Sequence, residues 1–400
     1  MPSLRLAYSG GLDTSYCIKY LSQDCGYEVH TAIVDTGGFA EAEMQGIEAR
    51  AYALGAKSFR ILDQVNSYYE QCIRYLVFGN VLKNHTYPLS VSAERVFQAL
   101  ALVGYAQELG VSAIAHGSTG AGNDQVRFDL VFQTLAPGLE VITPIRDQSL
   151  SREAEIAYLK QHGVTFDFQK AEYSINQGLW GTSVGGKETL NSWDHLPDSA
   201  YPTPLTATGE QEIHLQFEQG ELVGVEGTQY PHPVAAIRAL AELAGPYAVG
   251  RDIHVGDTII GIKGRVGFEA AAPLIILKAH ELLEKHTLTK WQQYWKDQLG
   301  NWYGMLLHEG QFIDPVMRDI EAFLTSTQAK VSGKVKVMLA PHRFAALGVD
   351  SPHDLMTSKF GTYGEANRAW TGEDVRGFTT ILANAGKIYQ AVNNEAGTPS

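Results

Sequence analysis

Ser9, Thr14 and Ser15 gather three hydroxyl groups around two glycines in the stretch Ser9-Gly10-Gly11-Leu12-Asp13-Thr14-Ser15. Leu4 to Tyr8, just upstream, reads as a short buried strand, and Thr14 to Gln23 reads as a helix. A strand that turns sharply into a helix through Gly-Gly leaves backbone N–H groups unpaired, and the helix dipole adds positive potential there. The chemistry this suits is the grip of an oxyanion such as a phosphate. A Cβ at either glycine would hold the oxyanion off the backbone, so valine at Gly10 or Gly11 is expected to remove phosphate binding and leave the fold intact. Asp13 has a plainer alternative as the cap of a strand–turn–helix corner. A cap alone does not account for so many small donors in one turn.

A second glycine-rich stretch, His116-Gly117-Ser118-Thr119-Gly120-Ala121-Gly122-Asn123-Asp124-Gln125-Val126-Arg127-Phe128, follows the apolar strand Val111 to Ala115. Three glycines in six residues make a loop that bends closely around something. Asn123 or Asp124 can cap the helix Gln125 to Leu135. Arg127 falls on the first turn of that helix, where a cation is electrostatically unfavourable, so it is expected to face a ligand oxygen or a carboxylate. The alternative for Arg127 is a surface ion pair with Glu94 or Asp129. His116 reads as a strand-end histidine that shapes the loop.

A near-miss to the G-x-x-x-x-G-K-[ST] phosphate loop occurs at Gly181-Thr182-Ser183-Val184-Gly185-Gly186-Lys187-Glu188. Glutamate replaces the magnesium-binding hydroxyl and no apolar strand precedes it, so it is read as a decoy. The first loop instead resembles the S-G-G-x-D-[ST]-[ST] loop of the N-type ATP pyrophosphatases. Together the two loops, with Tyr87, Ser92 and Arg95 between them and Gly261, Lys263, Arg265 and Glu269 beyond, are similar to the argininosuccinate synthase family. The resemblance runs over essentially the whole chain and is sharpest in the first 165 residues.

That family ligates citrulline to aspartate while ATP is cleaved to AMP and pyrophosphate with magnesium, through a citrullyl-adenylate. The resemblance implies that ATP is held by Ala7, Tyr8, Ser9, Gly10, Gly11, Leu12, Asp13, Thr14 and Ser15, with Val34 and Gly117. It implies Asp13, Asp124 and Arg127 as the catalytic set, orienting charge rather than supplying a nucleophile. Tyr87 and Ser92 would bind the α-carboxylate end of citrulline, Ser174 and Ser183 would line the same pocket, and Thr119, Asn123 and Asp124 would bind aspartate. No residue is assigned to a protein-held metal. For Tyr87 a half-buried aromatic is the alternative, and for Ser174 and Ser183 turn capping. A homotetramer is also implied.

Three positions depart from the family's pattern. Ala121 stands where many relatives have lysine, Gly256 where the pattern V-E-N-R has glutamate, and Phe268 where it has tyrosine. That glutamate and tyrosine belong to the pocket for the α-amino end of citrulline. An ammonium removed from water needs a compensating charge. Their loss, and the room a glycine opens, raise the expectation of an N-acylated citrulline as substrate. Asp257 or Glu269 taking over the contact is the alternative. A tRNA-thiolating adenylating enzyme and a non-catalytic nucleotide-binding module are more distant options.

The elements that must position these residues read as follows. Residues 1–165 alternate strand and helix, with strands at Tyr27–Asp35, Ser58–Asp63 and Leu139–Ile145, and helices at Ala40–Leu54, Asn66–Phe78, Ala93–Leu109 and Ser151–Gln161. The pattern predicts a doubly wound parallel sheet, α/β in class and adenine nucleotide alpha-hydrolase-like, with ligands at the carboxyl ends of its strands. Residues 166–365 read as an α+β synthetase domain, with 172–206 a long loop lining a site. Residues 366–400 read as a tail whose amphipathic helix, Asp374 to Val392, packs on its own domain or on another subunit. A net charge of −13 over 400 residues argues against nucleic acid or an anionic membrane as partner. With three cysteines, Cys17, Cys25 and Cys72, forming no C-x-x-C pair, and no apolar run or signal segment, a cytoplasmic enzyme of small molecules is expected.

Overall fold

Leu4, Arg5 and Leu6 are all fully buried. Such a run needs cover on both faces of a strand, which is the condition of a parallel sheet between helices. Arg5 is tolerated because its guanidinium lies 3.5 Å from the centre of the Tyr105 ring. The computed structural model describes residues 2–165, 173–357 and 369–395. In it β1 (Ser3–Ala7), β2 (Glu28–Asp35), β3 (Ser58–Asp63), β4 (Ala113–Ala115) and β5 (Glu140–Ile142) form an all-parallel sheet in the order β3-β2-β1-β4-β5. Along β2, Ile33 joins one core with Leu12, Ile18 and Leu159, while Ala32 and Val34 join the other with Val96 and Phe97. Fully burying each such aliphatic side chain contributes about 1.5–3 kcal/mol. Gly55 and Gly110, at φ of 107° and 61°, end the helices Glu41–Leu54 and Ser90–Leu109 in the left-handed conformation.

The strand order reverses direction between β1 and β4, and both glycine loops leave the carboxyl ends of those two strands. That switch point is where a doubly wound sheet opens a crevice. The expected strand Leu139–Ile145 is shorter, because Pro144 starts the helical turn Pro144–Asp147.

The stretch 172–206 is not one long loop. It contains β6 (Ser174–Gly178) and β7 (Gly181–Gly185), paired as a tight hairpin. Strand β7 also pairs with a later strand, so the hairpin is held by register rather than by apolar periodicity. Downstream, β8 (Gln211–Glu218), β9 (Glu221–Val225) and β10 (Thr228–Gln229) precede β11 (Arg251–Asp257) and β12 (Lys263–Glu269). The strands β13 (Gly333–Ala340) and β14 (Arg343–Asp350) follow. They make two antiparallel sheets, β10-β9-β8-β13-β14 and β11-β12-β7-β6. The class is therefore α/β with an α+β second half.

Residues Met1–His353 form one compact unit and Asp354–Ser400 another. The expected boundary after residue 165 adjoins 166–172, and the one at 366 falls within 358–368; both stretches lie outside the described residues. In the second unit the expected single helix is two, Gly372–Leu382 and Asn384–Glu395, because the backbone at Ala383 (ψ −13°) opens the ladder between them.

Candidate active site

Gly10 adopts φ +78°, and a Cβ there would lie 2.8 Å from Ile47 and 2.9 Å from Arg50. The chain can turn here only because this residue is glycine. Valine at Gly10 would therefore strain the fold, contrary to the expectation from sequence. Gly11 differs: it is extended, and its nearest neighbour, Ser9 Oγ, would be 3.5 Å from a Cβ. Gly11 caps the helix Leu12–Gln23 without a side chain, so the first N–H groups of that helix are left to the crevice.

Ser9 Oγ and Thr14 Oγ1 lie 3.3 Å apart across the mouth of the loop. Ser15 Oγ donates to Gly11 O at 2.7 Å and the residue is fully buried. Its hydroxyl closes the turn, and it does not line the crevice. Of the loop, Ala7, Tyr8, Ser9, Gly11, Leu12, Asp13 and Thr14 face a cleft of about 1000 Å³, joined there by Val34. Gly10 and Ser15 sit behind them.

The second loop closes on the first at Gly117, where a Cβ would meet Thr14 Cγ2 at 3.1 Å. His116 Nδ1 accepts from Ser118 N at 3.2 Å, so its Nε2 donates to Asp129 at 2.9 Å. Arg146 reaches the other oxygen of Asp129 at 2.7 Å. Neither Asn123 nor Asp124 caps the helix Asp124–Leu135 with its side chain. Asn123 Oδ1 accepts from Ile259 N at 2.8 Å and ties the β11–β12 turn over the cleft. Asp124 is held by two guanidinium groups, Arg95 Nε at 2.9 Å and Arg127 Nη1 at 3.1 Å, one on each oxygen. Burial opposes its charge, but these two arginines outweigh it and hold Asp124 below the usual carboxylate range.

Arg127 pairs with neither Glu94 nor Asp129. Its Nε and Nη2 both donate to His308 O, at 3.1 and 3.0 Å. His308 ends the helix Lys290–His308, so the negative end of one helix offsets the positive start of another. Three of the five N–H donors are spent in this way, and two remain for a ligand.

Tyr87, Ser92, Thr119, Asn123, Asp124, Arg127, Ser174 and Ser183 all line the same cleft. The Tyr87 hydroxyl accepts from Val91 N at 3.1 Å and Ser90 Oγ at 3.2 Å, which leaves its own proton to donate. Ser183 on β7 is opposite Asn176 of β6 and Phe268 of β12. Asn176 in turn accepts from Arg95 Nη2 at 3.1 Å. The decoy at residues 181–188 is a strand followed by the 3₁₀ turn Lys187–Leu190, with no helix to present a phosphate site.

Three cleft residues had no assigned role in the sequence. Glu94 is buried, one carboxyl oxygen lacks a partner, and desolvation pushes its pKa to about 8. His254 stacks on Tyr87 at 5.2 Å, and His308 joins it on the cleft wall. Their partners are remote in sequence, and only Glu94, a carboxylate inside an apolar helix face, carried a signal.

Part of the room expected beside Gly256 is taken by a neighbour. A Cβ on Gly256 would lie 2.6 Å from His254 Nε2, so the imidazole fills that space. Phe268 is buried against Tyr87 at 5.4 Å. Glu269 is engaged by Arg251 at 2.9 Å, and Asp257, on the cleft rim, by Lys263 at 2.6 Å. Gly256 still lines the cleft, but His254 takes up part of the room on which an N-acyl preference rested.

The family model described as the arginosuccinate synthase N-terminal HUP domain matches residues 3–165, and that described as the arginosuccinate synthase C-terminal domain matches residues 173–389. The chain is 38% identical to the argininosuccinate synthase of Xanthomonas campestris pv. campestris over 402 aligned residues, covering 97% of this chain and 98% of the relative. The argininosuccinate synthase of Dictyoglomus turgidum is 36% identical, with 96% of each chain covered. That of the archaeon Methanocaldococcus jannaschii is 36% identical, with 90% of this chain and 91% of the relative covered.

Proposed function

The chain belongs to the argininosuccinate synthase family, and we propose that it joins citrulline to aspartate with cleavage of ATP to AMP and pyrophosphate, a step of arginine biosynthesis. One observation carries this beyond family membership: a single cleft holds both the oxyanion loop and the Asp124–Arg127 pair. The helix N–H groups beyond Gly11, with Ser9 and Thr14, bind the β- and γ-phosphates as a leaving group. Arg127 presents its two unspent N–H groups to the ureido substrate, and Asp124 fixes its plane. The ureido oxygen attacks the α-phosphorus and pyrophosphate departs. The aspartate amine, held by Thr119, Asn123 and Asp124, then attacks the ureido carbon and AMP leaves with the former ureido oxygen. Catalysis is positioning and charge stabilisation, with no covalent enzyme intermediate.

Magnesium accompanies the nucleotide in this reading. It needs only one or two carboxylates when phosphates supply the other ligands, and Asp13, on the cleft beside the loop, fits that donor role. Bound there, it would neutralise phosphate charge. Among the described residues no group of three or more His, Cys, Asp or Glu side chains converges on a metal position.

The two tail helices carry an apolar side, with Phe378, Ile381, Leu382, Ile388 and Tyr389, that the tail itself does not bury. This supports a homo-oligomer, a tetramer by family. No helix among the described residues is long and apolar enough to cross a membrane. The free thiols of Cys17, Cys25 and Cys72 agree with a reducing cytoplasm. Neither tRNA thiolation nor simple nucleotide binding is favoured, since the family match extends through the second half. The test is pyrophosphate release with ATP, citrulline and aspartate: all three together should give stoichiometric AMP, pyrophosphate and argininosuccinate. Turnover with ATP alone would refute the assignment.

A further inference from the structure

The hairpin β6–β7, which brings Ser174 and Ser183 to the cleft, is seated on a carboxyl group. Glu94, on the helix Ser90–Leu109, is 2% exposed and lines the cleft. Gly178 is the last residue of β6, and a Cβ there would run into Glu94 Oε1. The carboxyl group thus fills the space that a side chain at 178 would need. The turn that follows is fastened by Leu179 N donating to Thr36 O at 3.2 Å. Gly37 allows that approach, since a Cβ on it would lie 2.9 Å from Leu179 Cβ. Arg95 Nη2 holds the middle of β6 by donating to Asn176 Oδ1 at 3.1 Å. The hairpin therefore rests on three points, and Glu94 is the group among them that titrates close to neutral pH.

Glu94 Oε1 is buried and has no hydrogen-bond partner. Residues 174–185 contain no Lys, Arg or His, so the hairpin brings no cation to it. Arg95, next in sequence, spends Nε on Asp124, Nη1 on Gln98 and Nη2 on Asn176. Burial is the largest influence on Glu94 and raises its pKa to about 8. Asp124 and, at the end of β2, Asp35 act in the same direction, while Arg95 and the Thr36 hydroxyl oppose them. The buried Tyr68 hydroxyl, on the helix Val65–Tyr68, also interacts with Glu94.

A buried carboxylate with one bare oxygen must draw in water or a cation. The close seat of Gly178 leaves no room for either unless the hairpin moves. We propose that Glu94 is a positioning residue for the ureido substrate: uncharged, it seats Gly178 and with it the hairpin that carries Ser174 and Ser183, and on ionising it lifts that hairpin from the cleft. The inference rests on the ligation reaction proposed above.

The test follows kcat/KM for citrulline across neutral and alkaline pH, at saturating ATP and aspartate, in the wild type and in Glu94→Gln, which keeps the shape and cannot ionise. The two profiles should run together below about pH 7 and part above about pH 8, the wild type falling about tenfold per pH unit relative to the variant, as one ionisation requires. The loss should appear in the KM for citrulline, with the ATP dissociation constant unchanged. Without any substrate, amide exchange across residues 174–185, taken as the ratio of wild type to Glu94→Gln at each pH, should rise over the same range. Gly178→Ala should raise the KM for citrulline about tenfold at every pH, the low end of an overpacking penalty, and Glu94→Ala in the same chain should recover it by removing the carboxyl group from the path of the new Cβ. Parallel profiles, equal exchange in the two proteins, or a loss confined to ATP affinity would overturn the role. A chain that turns over no citrulline at any pH would refute the reaction itself, and the exchange ratios would still decide what seats the hairpin.

Discussion

The guanidinium of Arg127 caps the main-chain oxygen of His308 through two donors, at 3.1 and 3.0 Å, across 181 residues of sequence. The contact fixes the orientation of an arginine that lines the cleft. It also compensates a charge that would be unfavourable at the start of its own helix.

Arg127→Lys should therefore fail despite keeping the charge, because an ammonium cannot span His308 O, Asp124 and a ligand in one plane. We expect kcat to fall about 100-fold, the loss of close to 3 kcal/mol at the transition state. The ATP dissociation constant should change much less. Calorimetric ATP binding beside single-turnover AMP formation separates the two, and near wild-type turnover would contradict the role.

Gly10 and Gly11 should part company on substitution. Gly11→Val places its side chain in the cleft, so ATP binding should vanish while the melting temperature is kept. Gly10→Val must be accommodated at φ +78° against Ile47 and Arg50, at a cost of about 1–3 kcal/mol for the backbone alone. Thermal melts of both variants with and without ATP check this; equal destabilisation would remove the distinction.

Glu94 should make stability fall with rising pH. Desolvation raises its folded pKa to about 8, above the ordinary carboxyl value of 4.5. A group raised on folding contributes stability that is fully present below its unfolded pKa and is lost as pH climbs through the folded one. Glu94→Gln cannot titrate, so wild type should lose stability relative to this variant between pH 5 and about pH 9. Urea melts at both ends of the range measure it, and a constant difference would show that Glu94 is already ionised at the lower pH.

Deleting residues 372–400 should dissociate the oligomer and leave a folded nucleotide-binding unit, because Met1–His353 is compact by itself. Light scattering gives the mass, and an unchanged mass would place the subunit contacts elsewhere.

Much of the cleft was legible because its loops are written in residue types that few other roles require. Gly10 turns at positive φ and Gly117 sits against the backbone of Asp13 and Thr14, and β1 and β4 are short, largely apolar runs. The β6–β7 hairpin was not legible: Ser174-Ile175-Asn176-Gln177 is exposed throughout, so pairing rather than periodicity makes it a strand. The partner of Arg127 was not legible either, since a backbone carbonyl has no sequence signature. The imidazole beside Gly256 undercut the inference from a missing side chain, because a neighbour two residues away on β11 had taken part of its space.

The central claim is that the ureido oxygen attacks the α-phosphorus in the cleft shared by the two loops. Citrulline labelled with ¹⁸O at the ureido oxygen, turned over with ATP and aspartate, tests it most directly by mass spectrometry of the AMP. The account predicts that the label passes to the phosphate of AMP and that argininosuccinate carries none. Unlabelled AMP formed alongside argininosuccinate would contradict it.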